Sequence, residues 1–143
     1  MTADPVGTPT RTLIAALVYG GAEFVPACIE SLAGLLVPGE VDGLVLDDCS
    51  PDAAWSDTIR EQCENSGVGY YRSPRNMGIP RNMNLALLHA ADAGYDYVAI
   101  TNSDVVFPSN LVSSMVSTAC RACSNVISAV APSTSRSAWD SAC

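Results

Sequence analysis

The chain has 143 residues, 48% of them hydrophobic and 15% charged, with a formal net charge of −8 and a pI near 4.3. These values describe one folded domain with enough apolar mass for a real core and exclude a disordered chain. The acidic balance argues against a nucleic-acid backbone as the main partner, and no run approaches the roughly 20 apolar residues of a membrane span.

Residues 1–11 (MTADPVGTPTR) form a polar, Pro- and Thr-rich lead without the charged and apolar regions of a signal peptide, so a cytoplasmic location is expected. Leu13 to Tyr19 (LIAALVY) is an unbroken apolar run, the pattern of a strand buried on both faces. Gly20-Gly21 breaks it. From Glu23 to Leu36 the residues Phe24, Cys28, Ile29, Leu32 and Leu36 recur at helical spacing, and Pro38-Gly39 ends that helix.

Val41 to Leu46 (VDGLVL) reads as a second strand that ends in Asp47-Asp48. Cys49-Ser50-Pro51-Asp52 is a turn, with Asp52 placed as the N-cap of a helix whose Trp55, Ile59 and Cys63 share one face. Val68 to Arg72 is a third strand, and Ser73 to Ile79 a loop. Pro80 suits the first turn of a helix running to about Ala93, with Met83, Leu87 and Leu88 expected inside. Tyr97 to Thr101 is a fourth strand, and Ser109 is expected to cap a helix striped by Leu111, Val112, Met115, Val116 and Ala119. Val126 to Ala131 reads as a fifth strand, and residues 132–143 as a loose tail.

Strands alternating with helices imply right-handed crossovers and a mostly parallel sheet covered on both faces, an α/β fold of three α/β/α layers over residues 12–131. The six cysteines include one C-x-x-C pair, Cys120 and Cys123. With no second pair and a single His, the pattern points to buried free thiols rather than to a four-ligand zinc site.

In a parallel sheet the C-terminal strand ends share one edge, where ligands bind. Here that edge collects Tyr19-Gly20-Gly21, Asp47-Asp48, Arg75 to Asn82, and Asn102-Ser103-Asp104. Judged singly, the acidic groups fit ordinary turns, Arg81 a solvated helix position, and Tyr19 a ring packed over the sheet. Their joint placement favours a site. Carboxylates that accept from a base or ribose, an Arg and a helix N-terminus for phosphate oxygens, and a carboxylate for Mg²⁺ or Mn²⁺ suit a nucleoside diphosphate. Neither G-x-G-x-x-G after the first strand nor a P-loop is present.

These segments resemble the family 2 glycosyltransferases of GT-A fold. LVYGGAEFVPACIESL (17–32), VLDDCSPD (45–52), NMGIPRNMNLAL (76–87) and TNSDVVFP (101–108) match four family motifs in order. The resemblance implies that Asp48 contacts the base of a nucleotide sugar with Asp47 in support, and that Tyr19 lines the nucleoside. It also implies that Arg81 lies near base and diphosphate, and that Asp104 ligates a divalent metal as the second acid of the DxD motif. Asn102 occupies the first position of that motif, where a neutral amide weakens metal affinity, and Gly20 replaces the usual Asn.

The implied reaction is an inverting transfer from a nucleotide-diphosphate sugar to a glycan or other hydroxyl acceptor. The family's acceptor site and general base follow the fifth strand, about where this chain stops. The resemblance therefore implies a donor half truncated after that strand, which binds donor and transfers poorly alone. The alternative is a non-catalytic GT-A-like module acting with a partner chain or as an oligomer. A nucleotidyltransferase is disfavoured, because Tyr19 to Glu23 has no Lys or Arg.

Overall fold

A computed structural model describes residues 10–122. The chain order is β1 (Thr12–Val18), α1 (Val25–Ala33), β2 (Val41–Asp47), α2 (Ala53–Ser66), β3 (Gly69–Arg72), α3 (Ile79–Asp92), β4 (Tyr97–Asn102) and α4 (Leu111–Ala122). Among the described residues the strands of the sheet pair in parallel, in the order β3-β2-β1-β4. The expected α/β architecture is therefore observed. The expected fifth strand, the tail, Cys123 and most of the N-terminal lead lie outside the described residues.

Alternation along β1 builds two cores. Ile14, Ala16 and Val18 face α1 and α2, where they meet Val25, Cys28, Ile29, Leu32, Ile59 and Cys63. Ala15 faces the other way and joins Leu46 and Ala86 under α3. Burial on both faces is why β1 is an apolar run rather than an alternating one. In β2, Gly43 meets α1 so closely that an added Cβ would stand 3.0 Å from Leu32 Cγ.

The elements differ from expectation in three places. Helix α1 is shorter than residues 23–36: Pro26 sits in its first turn and Gly34 caps its end. Leu35 remains in the core after the helix has stopped. Helix α4 begins at Leu111, two residues beyond the expected cap at Ser109, and Leu111 and Val112 pack on the α1 side of the sheet; the Ala119 side chain lies outside the description.

The third difference concerns which face of α3 is buried. Met83, Leu87 and Leu88 are 40%, 46% and 56% exposed, whereas Asn82, Ala86 and Ala90 are buried. The small side chains let α3 lie close over β1 and β4, and close packing of backbone outranked residue size. Among the described residues no helix is long and apolar enough to cross a membrane.

The strand register sets the stage for the site. Val18 is level with Asp47, Asp47 with Arg72, and Asn102 with Leu17. Strands proceed outward from β1 to β2 and β3, and then the chain returns to the opposite side of β1 with β4. The order reverses between β1 and β4, and the crevice beyond such a reversal is where open α/β sheets hold ligands.

Candidate functional site

At the tip of β2, Asp47 is 1% exposed and every oxygen is engaged. Its Oδ1 accepts from the Ser50 N–H (2.8 Å) and the Ser50 hydroxyl (2.6 Å). Its Oδ2 accepts from the hydroxyls of Ser56 (2.7 Å) and Tyr70 (2.8 Å), with Arg72 Nε at 3.5 Å. Burial pushes this carboxyl up, but the donors from Ser50, Ser56 and Tyr70 outweigh it and hold it below its ordinary value. Burial, followed by the hydrogen bond to Asp47, pushes the Tyr70 phenol up.

Ser50 carries this order outward. Its hydroxyl accepts the Gly20 N–H (2.9 Å), and its carbonyl accepts from Arg72 Nη2 (2.9 Å). The loop after β1, with Gly20 at φ 66° and Gly21 at φ 73°, is thereby fixed to the β2 turn. Cys49, between the two anchors, holds φ 59° without being glycine. Such a left-handed residue persists only where its surroundings impose it, and here Asp48 and Ser50 are both bonded.

Asp48 turns the other way, toward α3. Its carboxylate accepts from the N–H groups of Met77 (2.6 Å) and Gly78 (2.9 Å), so it closes the loop that leads into α3. Gly78 sits at φ 81°, ψ 156°, a conformation open to glycine. Asn82 follows on the first turn, buried, and its Oδ1 accepts from the Ser73 hydroxyl (3.2 Å).

At the tip of β4, Asn102 and Asp104 are exposed and Ser103 half-buried. Helix α1 lies beneath this loop: the Phe107 N–H donates to the Ser31 hydroxyl (3.0 Å).

These tips surround a cavity of about 330 Å³. Its walls are Leu17, Val18, Tyr19, Gly21 and Phe24 from β1 and its loop, Asp48 from β2, Ile79 and Asn82 from α3, and Asn102, Ser103 and Asp104 from β4. Of the residues expected at the site, Tyr19, Asp48, Asn102 and Asp104 meet there. Asp47 lies below the wall with its oxygens occupied, and Arg81 is exposed on α3 outside the lining. Asn82, Ile79, Phe24 and Ser103 line the cavity without having been singled out as site residues. Asn82 and Ile79 adjoin Arg81 in the motif already noted, but which side chain turns inward depends on how α3 rolls over the sheet.

Among the described residues no three His, Cys, Asp or Glu side chains gather to cage a metal ion. The cavity wall at β4 supplies one carboxylate, Asp104, with the neutral oxygens of Asn102 and Ser103. That donor set fits Mg²⁺ or Mn²⁺, which take one or two protein carboxylates and complete their shell from phosphate oxygens and water.

Residues 14–140 match the model of glycosyl transferase family 2. The chain belongs to this family. No match is found among curated proteins. Among solved structures, S. aureus TarS 1-349 in complex with UDP is similar at TM-score 0.62 and 21% identity, covering 78% of this chain and 32% of that one. The mannosyltransferase PcManGT from Pyrobaculum calidifontis, in complex with GDP-Man and Mn²⁺, is similar at TM-score 0.63 and 17% identity, covering 77% and 32%. The family 2 chain thus spans about a third of the length of these structures. At such identities the likeness shows the shared GT-A fold.

Proposed function

We propose that this family 2 domain binds a nucleotide-diphosphate sugar in the cavity between the tips of β1, β2 and β4 and serves transfer of the sugar to an acceptor hydroxyl. The observation that carries the reading is the meeting of Tyr19, Asp48, Asn102 and Asp104 around one cavity at the reversal of strand order. The UDP and GDP-Man complexes of the two structural neighbours support it.

In this reading Tyr19 packs against the nucleoside and Asp48 accepts from the base with lone pairs that the Met77 and Gly78 amides leave free. Asp47 acts from below, holding both neighbours. Asn102 would face the ribose. Asp104 would hold Mg²⁺ or Mn²⁺, which when bound would neutralise charge on the diphosphate. Arg81 reaches the diphosphate by a swing of its exposed side chain. The acceptor oxygen bonds to the anomeric carbon from the face opposite the diphosphate, the glycosidic oxygen leaves with the diphosphate, and configuration inverts. A carboxylate takes the acceptor proton; no described residue is assigned that role.

Calorimetric titration with UDP, GDP and dTDP, each in Mn²⁺ and in EDTA, tests the reading. Metal-dependent binding of one diphosphate, lost in Asp104→Ala, is expected. No binding by folded wild-type chain would sink it.

A second reading, a non-catalytic module docked on another chain, draws on the exposed apolar stripe of α3, Ile79, Met83, Leu87 and Leu88. A folded chain that ignores all three nucleotides and scatters light as an oligomer would favour it.

A further inference from the structure

Helix α1 carries the segment ACIESL, whose inward face is apolar except at Ser31. A hydroxyl on a core-facing stripe needs a partner, and Ser31 has two. It donates to the Cys28 carbonyl one turn back (3.0 Å) and accepts the Phe107 N–H (3.0 Å) from a residue 76 positions away in sequence. On the same face, burial pushes the Cys28 thiol up and the nearby Val105 amide opposes the rise. Both amides belong to the segment immediately after Asp104, which β4 has left and α4 has not yet taken up. Phe107 also packs against the α1 core.

We infer that Ser31 is a positioning residue that sets Asp104 and its loop against the cavity from beneath, through the Phe107 amide. The inference deepens the donor-site reading and rests on it for its consequence, although the tether itself is independent of any ligand. Asp104 is exposed, and among the described residues no hydrogen bond or ion pair holds its carboxylate. A carboxylate that must meet a metal-diphosphate complex needs its backbone held in advance, and losing that order costs affinity without removing a ligand.

The experiment uses the full chain with two substitutions, Ser31→Ala and Ser31→Thr, and two readouts. The first is affinity for UDP, GDP and dTDP in Mn²⁺. Ser31→Ala is expected to bind about tenfold more weakly, the loss of one positioning hydrogen bond, and Ser31→Thr to return within about threefold of wild type. The second is amide hydrogen exchange. Phe107 is expected to exchange faster in Ser31→Ala and near the wild-type rate in Ser31→Thr, while the Gly20 amide, held by Ser50 across the cavity, stays unchanged.

Wild-type affinity in Ser31→Ala, or failure of threonine to restore it, would overturn the positioning role. Equal acceleration at Gly20 and Phe107 would also overturn it, since that marks general loosening. If wild type binds none of the three nucleotides, the donor-site reading falls. Exchange at Phe107 then still decides the tether, and an unchanged rate in Ser31→Ala would refute it.

Discussion

The two acidic tips of this sheet are built in opposite ways. At β2 the carboxylates are buried and enclosed: Asp47 joins β2, α2, β3 and, through Ser50, the loop after β1, while Asp48 closes the entry to α3. At β4, Asn102 and Asp104 are exposed, and their segment is held from below by α1. One tip is frame and the other is reach. On the proposed donor-site reading, a wall that recognises a fixed ring system gains from rigidity, whereas a carboxylate that shares a metal with a mobile diphosphate must stay wet enough to exchange water. The comparison predicts that substitutions at β2 act first on stability and those at β4 first on binding.

The largest effect is expected at Asp47. Asp47→Ala strands the Ser50, Ser56 and Tyr70 donors around a buried position and should lower stability by about 3 kcal/mol or more. Urea unfolding at neutral pH measures it. A loss below about 1 kcal/mol would mean that the network relaxes freely, and the contrast between the tips would lose its basis.

Acidification sharpens the same point. The Asp47 carboxyl lies below its ordinary value of 3.8 in the folded chain. The stability it contributes is therefore complete above that value and drains away as pH falls through the lower, folded one. The gap between wild type and Asp47→Ala should be constant from neutral pH down to about 4 and narrow below it. Unfolding midpoints measured across that range check this, and a gap that already narrows near pH 6 would point to a different group.

Much of this frame could be read in the sequence because it rests on period and order. The apolar run of β1, the acidic pair ending β2 and the N-cap Asp52, whose side chain accepts from the Trp55 N–H (3.1 Å), are local signals that folding leaves intact. The four motifs gave the family, which the match over residues 14–140 bears out. What could not be read was direction. Asp47 and Asp48 are adjacent and chemically identical, yet alternation at the strand end sends one into the frame and the other to the cavity. Helix α3 offered large apolar residues for burial, and the sheet took Asn82, Ala86 and Ala90 instead. Ser31 looked like an ordinary helix residue until Phe107, 76 positions away, came to rest on it.

The smallest expected effect carries the other half of the comparison. Asp104 is exposed, its carboxylate has no hydrogen-bond or ion-pair partner among the described residues, and it lies in the loop between β4 and α4, so Asp104→Ala removes no buried contact seen there. Its unfolding free energy should fall within about 0.5 kcal/mol of wild type, the range of ordinary surface substitutions. Removing a negative charge from a chain of net charge −8 even favours a slight gain. Thermal and urea unfolding without ligand test this, and repeating them with nucleotide and Mn²⁺ adds the binding arm. Ligand should raise the wild-type midpoint by mass action and leave the variant where it stood. A variant that loses a kilocalorie or more without ligand would make β4 part of the frame as well, and the division of labour between the tips would be wrong.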